Sequence, residues 1–117
     1  NKFKYNIFGY KGKQVRDNIH SYDLVNAFWH FHLKPKKGEV YNIGGSSKNS
    51  CSILEAIKLI EKMTNQKMIY SFKQKNRVGD HICYISDISK LRKHYPNWKI
   101  EYSLKEIIRQ IIKEMKN

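Results

Sequence analysis

Apolar positions recur along the chain with two alternating periods, and together they predict short strands interleaved with amphipathic helices. Lys4-Tyr5-Asn6-Ile7-Phe8 alternates polar with aromatic or aliphatic residues, which predicts a strand running into a loop at Gly9 and Gly12. Val15 to His20 reads as a short extended piece. Ser21 follows as a predicted N-cap, with Asp23 in the first turn, where a negative charge suits the helix dipole. Leu24, Ala27, Phe28 and Phe31 return at helical spacing and give that helix its apolar face, and Pro35 and Gly38 end it. Glu39-Val40-Tyr41-Asn42-Ile43 predicts a compact strand closed by Gly44-Gly45. After a polar loop, Ser52 and Glu55 stand in capping-box spacing ahead of Ile53, Leu54, Ile57, Ile60 and Met63 on one helical face.

The second half repeats these signals. Lys67 to Phe72 alternates as a strand and runs into Lys73-Gln74-Lys75-Asn76-Arg77-Val78-Gly79-Asp80. Asp87 is placed to cap a short helix through Lys93, broken by Pro96-Asn97. Ser103 and Glu106 form a second capping box before Leu104, Ile107, Ile108, Ile111, Ile112 and Met115, the clearest amphipathic helix of the chain. The fold class expected is therefore α/β, with short strands and three or four helices.

Composition narrows this picture. A chain of 117 residues is one domain or part of one, and its 40% hydrophobic and 13% aromatic content is that of a folded protein. No apolar run approaches the roughly 20 residues that span a bilayer. The sequence opens on a strand-like run without an initiator methionine or signal pattern, so an upstream portion is expected to be missing. Cys51 and Cys83 stand alone without CxxC spacing, which predicts two reduced and mostly buried thiols in a cytoplasmic protein. The histidines give no metal signal, since His30 and His32 point apart around a helix and HExxH is absent.

Charge brings in the candidate chemistry. Basic residues number 23 against 10 acidic ones, a net charge of +13 that admits a polyanion as partner. The lysines are spread over nearly every segment without an arginine cluster, so a lysine-coated surface explains the charge better than a nucleic-acid module. The arginines are only Arg16, Arg77, Arg92 and Arg109. Two of them sit in glycine-bearing loops, Gly9 to Arg16 and Asn76 to Asp80, where a planar bidentate fork suits phosphate oxygens and glycine lets a ligand approach the backbone. Phe8, Tyr10 and Tyr84 lie near enough in sequence to flank a base or sugar. The plainer alternative is that Asp17 pairs with Arg16 and Asp80 with Arg77. Nothing resembles a nucleophile and its base, because Ser21 and His20 are merely adjacent. The residues alone lead to a small α/β domain that binds a phosphorylated ligand.

Val15-Arg16-Asp17-Asn18-Ile19-His20-Ser21-Tyr22-Asp23-Leu24, Val40-Tyr41-Asn42-Ile43-Gly44-Gly45, Arg77-Val78-Gly79-Asp80, and Trp98 with the capped helix from Ser103 together resemble the C-terminal part of the extended short-chain dehydrogenase/reductase family, the NAD-dependent sugar-nucleotide epimerases and dehydratases. Within it, the stretch from Gly9 to Asp23 and Gly79-Asp80-His81 look most like 2-epimerases of CDP-sugars. The resemblance implies that Arg16 and Arg77 clamp the diphosphate of a nucleotide-sugar and that Asp80 accepts from the ribose hydroxyls. It implies that Asn6 and Phe8 approach the base, that Ile53 does so from the start of its helix, and that Tyr84 closes the site. Asn18 stands where related UDP-galactose epimerases often carry tyrosine, which fits the CDP-sugar branch.

The family oxidises a sugar carbon transiently with bound NAD, which supplies the hydride chemistry. The resemblance makes residues 1–117 the sugar-nucleotide-binding C-terminal domain, with no catalytic residue of its own. NAD is expected in an N-terminal Rossmann domain outside this chain, and a homo-oligomer belongs to the full-length enzyme if to either. Alone, the chain is expected to lack epimerase activity and, with its packing surfaces uncovered, to be marginally stable or to self-associate. The rivals are a UDP- or dTDP-sugar 4-epimerase or dehydratase lobe, and a small basic nucleic-acid-binding protein.

Overall fold

The computed structural model of the chain describes residues 4–73 and 81–116. In order, these form β1 (Tyr5–Phe8), β2 (Val15–Asp17), α1 (Ser21–Leu33), β3 (Ser50–Ser52), α2 (Ile53–Thr64), β4 (Tyr70–Lys73), β5 (Cys83–Tyr84), α3 (Ser89–His94) and α4 (Leu104–Lys116). The α/β class with short strands and four helices among the described residues is as the sequence pattern predicts. The chain divides into two compact units, each assembled from separated stretches: residues 1–16, 51–84 and 108–117 in the first, and 17–50 and 85–107 in the second.

In the first unit β1 and β4 pair in parallel, Tyr5 opposite Tyr70 and Phe8 opposite Lys73. β2 lies between β3 and β5 in a three-stranded sheet, Val15 paired with Cys83 and Arg16 with Tyr84. Ile7, Ile57 and Ile108 are the buried aliphatic side chains among the described residues of this unit. Helix α2 begins as its spacing predicts: the Ser52 hydroxyl accepts from Glu55 N at 3.1 Å, and Glu55 Oε1 accepts from Ser52 N at 2.9 Å. Asn65, left-handed at φ 55°, ends the helix. The hydrogen bonds from the Ser52 backbone and then its side chain hold the Glu55 carboxyl below the usual glutamate range. A depressed carboxyl stabilises the folded state while ionised and ceases to do so as pH falls through its folded value. Ser52→Ala is expected to cost about 1 kcal/mol at neutral pH. In wild type, the helical signal followed by circular dichroism should weaken on acidification below the ordinary glutamate range.

The second unit has its own core of Ala27, Ile88, Leu91, Tyr95 and Trp98, with Ile19, Tyr41, Ile43 and Ile100 packed against it. Asp23 organises its floor. Completely buried, it accepts from Glu101 N at 3.0 Å and Tyr102 N at 3.1 Å through its two carboxylate oxygens, while its main-chain carbonyl accepts from Trp98 Nε1 at 2.9 Å.

Several local expectations change. The N-cap of α1 is His20, whose Nδ1 accepts from Tyr22 N at 2.9 Å, so Ser21 is already the first helical residue. The N-cap of α3 is Ile88 and not Asp87, although Asp87 Oδ1 accepts from Ser89 N at 3.0 Å just ahead of the helix. Cys51 is half-buried and Cys83 exposed, so the thiols are not mostly buried. Residues 39–43 form no strand. Alternation supplied two faces but no ladder partner, and the segment is held by side chains: Lys90 Nζ donates to Val40 O at 2.9 Å and pairs with Glu39 at 2.7 Å, and Tyr41 OH meets His94 Nδ1 at 2.7 Å. The apolar face read for α1 is covered in part: Ala27 is buried and Leu24 half-buried, whereas Phe28 and Phe31 are exposed, as are Val25, Trp29 and Leu33 elsewhere on the helix.

Candidate functional site

Because β1 and β4 run in parallel, both finish at the same end, the end at which open α/β sheets hold ligands. There Gly9 N donates to Lys73 O at 2.8 Å, and the chain turns through Gly9 to Gly12 with φ of 71°, 48°, 52° and 74°. Gly12 is needed for two reasons. Its φ is left-handed, and a Cβ there would sit 2.9 Å from Leu54 Cγ. Against this turn lies a groove of about 540 Å³ lined by Gly9, Tyr10, Lys11, Phe72 and Lys73. Two aromatic faces beside two ammonium groups suit a planar ring carrying negative charge.

Arg16 enters from β2. Its strand is fixed by Val15 N donating to Ile82 O at 2.7 Å and by the parallel pairing that sets Arg16 opposite Tyr84. Paired residues of a ladder share one face, so guanidinium and phenol project from the same side of the sheet. Arg16 is half-buried, and its Nη1 donates to Val15 O at 2.8 Å. Asp17, read as a possible ion partner for Arg16, has another use: its Oδ2 accepts from Ser46 N and Ser86 N, each at 3.2 Å.

Of the residues singled out in the sequence, Asn6, Phe8, Arg16, Ile53 and Tyr84 all belong to the first unit. Asn6 Oδ1 accepts from Ser71 Oγ at 3.1 Å, Phe8 is exposed at the end of β1, and Ile53 is the half-buried first residue of α2. Asn18 belongs to the second unit. Its backbone N and its Nδ2 both donate to Asn49 O, at 3.1 and 3.2 Å, which gives it a structural task. Arg77 and Asp80 lie outside the described residues. Sequence reasoning missed Lys11, Phe72 and Lys73. A parallel pairing between strands some 65 positions apart brings them together, and no local pattern signals such a pairing.

The described residues do not fit NAD. Gly44-Gly45 is the chain's one glycine pair, and it makes no phosphate cradle. A Cβ on Gly44 would strike Asp17 Oδ2 and Ser86, and one on Gly45 would strike the Asn18 carbonyl, so the chain itself fills the space. Against the expectation that a YxxxK pair for proton transfer is absent, Tyr95 and Lys99 have that spacing. Tyr95 is buried at the end of α3 with its hydroxyl donating to Lys34 O at 2.8 Å, so the two are not on one helical face and the phenol is committed. Among the described residues no group of three or more His, Cys, Asp or Glu is placed to hold a metal, and no helix is long and apolar enough to cross a membrane.

Residues 2–44 match the NAD dependent epimerase/dehydratase family. Over 102 residues the chain is 30% identical to CDP-paratose 2-epimerase of Salmonella typhi, an alignment covering 86% of this chain and 30% of that protein. It is similar in structure to UDP-glucuronic acid 4-epimerase of Bacillus cereus, solved with UDP-glucuronic acid and NAD, at a TM-score of 0.75 and 31% identity over 89% of this chain and 32% of that one. UDP-glucose 4-epimerase of Thermotoga maritima, solved with UDP-glucose, gives a TM-score of 0.75 and 25% identity over 97% of this chain and 36% of that one. The chain thus has the fold of a fragment of the nucleotide-sugar epimerases and spans about a third of the length of these relatives.

Proposed function

We propose that this chain is the sugar-nucleotide-binding C-terminal part of an NAD-dependent epimerase, that it prefers CDP-sugars, and that the whole enzyme is a CDP-paratose 2-epimerase, also called CDP-tyvelose epimerase, serving surface-polysaccharide and O-antigen sugar synthesis in the cytoplasm. The observation that carries the reading is Arg16, held opposite Tyr84 in the ladder of the same unit that presents an aromatic and basic groove at the ends of β1 and β4. Arg16 with Arg77 would clamp the diphosphate, Asp80 the ribose, and Asn6, Phe8 and Ile53 the base, with Tyr84 over the ligand. Asn18 is kept as a specificity position by its departure from tyrosine. NAD, which supplies the hydride chemistry, would be bound by a Rossmann domain outside this chain. The exposed apolar side chains of α1 and the unladdered residues 39–43 support that reading, as surfaces for such a domain to cover.

A second reading, a UDP-sugar 4-epimerase part, has its own observation: the similar structures named above contain UDP-sugars. Calorimetric titration of CDP, UDP and dTDP separates the two. Binding in the order CDP first, weakened about tenfold or more by Arg16→Ala and by Arg77→Ala, is expected, since each arginine makes charge-assisted hydrogen bonds. A preference for UDP selects the second reading, and no binding of any nucleotide by the folded chain removes both for the isolated chain.

A further inference from the structure

Tyr10 and Lys11 adopt φ of 48° and 52° between Gly9 at 71° and Gly12 at 74°. In non-glycine residues this conformation crowds Cβ against the carbonyl oxygen, and it persists only where the surroundings over-determine it. Here the surroundings are identifiable. Gln14, 4% exposed, donates through Nε2 to Phe8 O at 3.0 Å. One side chain just after the turn is thereby tied to the last residue of β1 just before it. The main chain adds Lys13 N to Tyr10 O at 2.9 Å, Gly12 N to Gly9 O at 3.3 Å across the ends of the turn, and Gly9 N to Lys73 O at 2.8 Å before it; only the Gln14 bond ties a side chain beyond the turn back to β1. The direction of the amide is settled by its partner, because a carbonyl oxygen accepts only from the nitrogen.

The other half of the amide is informative. Gln14 Oε1 is buried with no hydrogen-bond partner among the described residues. A buried orphan acceptor disfavours the folded state, and an unbranched apolar side chain of equal reach would fill the same space without one. Packing therefore does not account for glutamine at this position, whereas the bond to Phe8 does.

We propose that Gln14 is a positioning residue: through Phe8 O it keeps the Gly9 to Gly12 turn left-handed, so that Tyr10 and Lys11 stay on the groove and Phe8 keeps its place at the end of β1. What the groove then holds rests on the nucleotide-binding reading above. The test uses the 117-residue chain with two variants, Gln14→Met, which removes the donor and the orphan together, and Gln14→Glu, which replaces the donor by an acceptor at nearly equal shape. Brief tryptic digestion, mapped by mass spectrometry, reads the turn directly because it cleaves after Lys11 and Lys13. The thermal midpoint reads the whole fold, and CDP titration reads the groove.

Expected in both variants are faster cleavage at Lys11 and Lys13 by about fivefold or more, since digestion of a folded protein tracks the locally open population. CDP binding should weaken by a similar factor, with little change in the midpoint for Gln14→Met. Unchanged cleavage at these two sites in both variants overturns the proposal. So does a loosened turn with CDP affinity intact, and so does a fall in midpoint accompanied by faster cleavage everywhere, which is the mark of a merely structural residue. If wild type binds no nucleotide, the nucleotide-binding reading and with it the positioning role fall, while the cleavage pattern still decides whether Gln14 clamps the turn.

Discussion

Gly45→Ala is expected to destabilise the second unit severely. The position has an ordinary backbone conformation, so strain in φ plays no part. A Cβ there would instead collide with the Asn18 carbonyl and lie 2.8 Å from Asn49 Cβ. Neither neighbour is free to retreat. Asn18 is bonded twice to Asn49 O, and Asn49, completely buried, donates through Nδ2 to Tyr102 O at 2.9 Å and accepts at Oδ1 from Leu104 N at 3.1 Å. Overpacking against a fixed backbone costs about 3 kcal/mol or more, a large share of the roughly 5–15 kcal/mol that holds a domain together. A calorimetric midpoint lower by roughly 10 °C or more is the expected result. Gly38→Ala is the control. Unlike Gly45 it is left-handed, at φ 73°, but with nothing within 4 Å, so it should cost only the conformational penalty of about 1 kcal/mol. Equal midpoints for the two variants would mean that the Asn18 to Asn49 region yields.

Asp23 gives the second large effect. Its two oxygens take backbone N–H groups of Glu101 and Tyr102, more than 75 positions away, and its own carbonyl receives Trp98 Nε1. Asp23→Ala strands two donors and is expected to cost about 3 kcal/mol or more, since each hydrogen bond to a charged group contributes about 1.5–3 kcal/mol. Asp23→Asn should be nearly as damaging, because its amide nitrogen must face one of two N–H donors. Trp98, 1% exposed, reports the event: its fluorescence should shift to longer wavelength at temperatures where wild type is still folded. An asparagine variant as stable as wild type would show that acceptor count is unimportant there.

Asp23 also shows how far the sequence was readable. Its place in the first turn of a helix explains an acidic residue through the local dipole, and that reading is true but minor beside the ties to Glu101 and Tyr102. Ser52 with Glu55 was fully legible, because both partners of a capping box lie within four positions. Phe28 and Phe31 were legible as an amphipathic pattern, yet periodicity says which residues share a face and not whether anything covers it. The strand expected at residues 39–43 fails for the same reason, since alternation describes one segment and a ladder needs two.

The candidate site divides along the same line. Arg16 was found from its residue type and the glycines before it, both local features. Its neighbour Tyr84, and the groove made by Lys11, Phe72 and Lys73, depend on parallel pairings across most of the chain. Gly44-Gly45 was legible only as the close of an extended run. A glycine pair after an extended run suggests room for a ligand, and here the room is taken by Asp17, Ser86 and Asn18.

The division of each unit among separated stretches of chain bears on how the molecule is made. The first unit draws on residues 1–16, 51–84 and 108–117, so Tyr5–Phe8 leaves the ribosome well before its partner Tyr70–Lys73 exists. Closing a parallel pair over that distance is slow, because the loop entropy must be met before any contact repays it. During synthesis β1 is an unpaired apolar edge that calls for protection by a chaperone. No single cut could release either unit intact, because each is assembled from separated stretches of the chain.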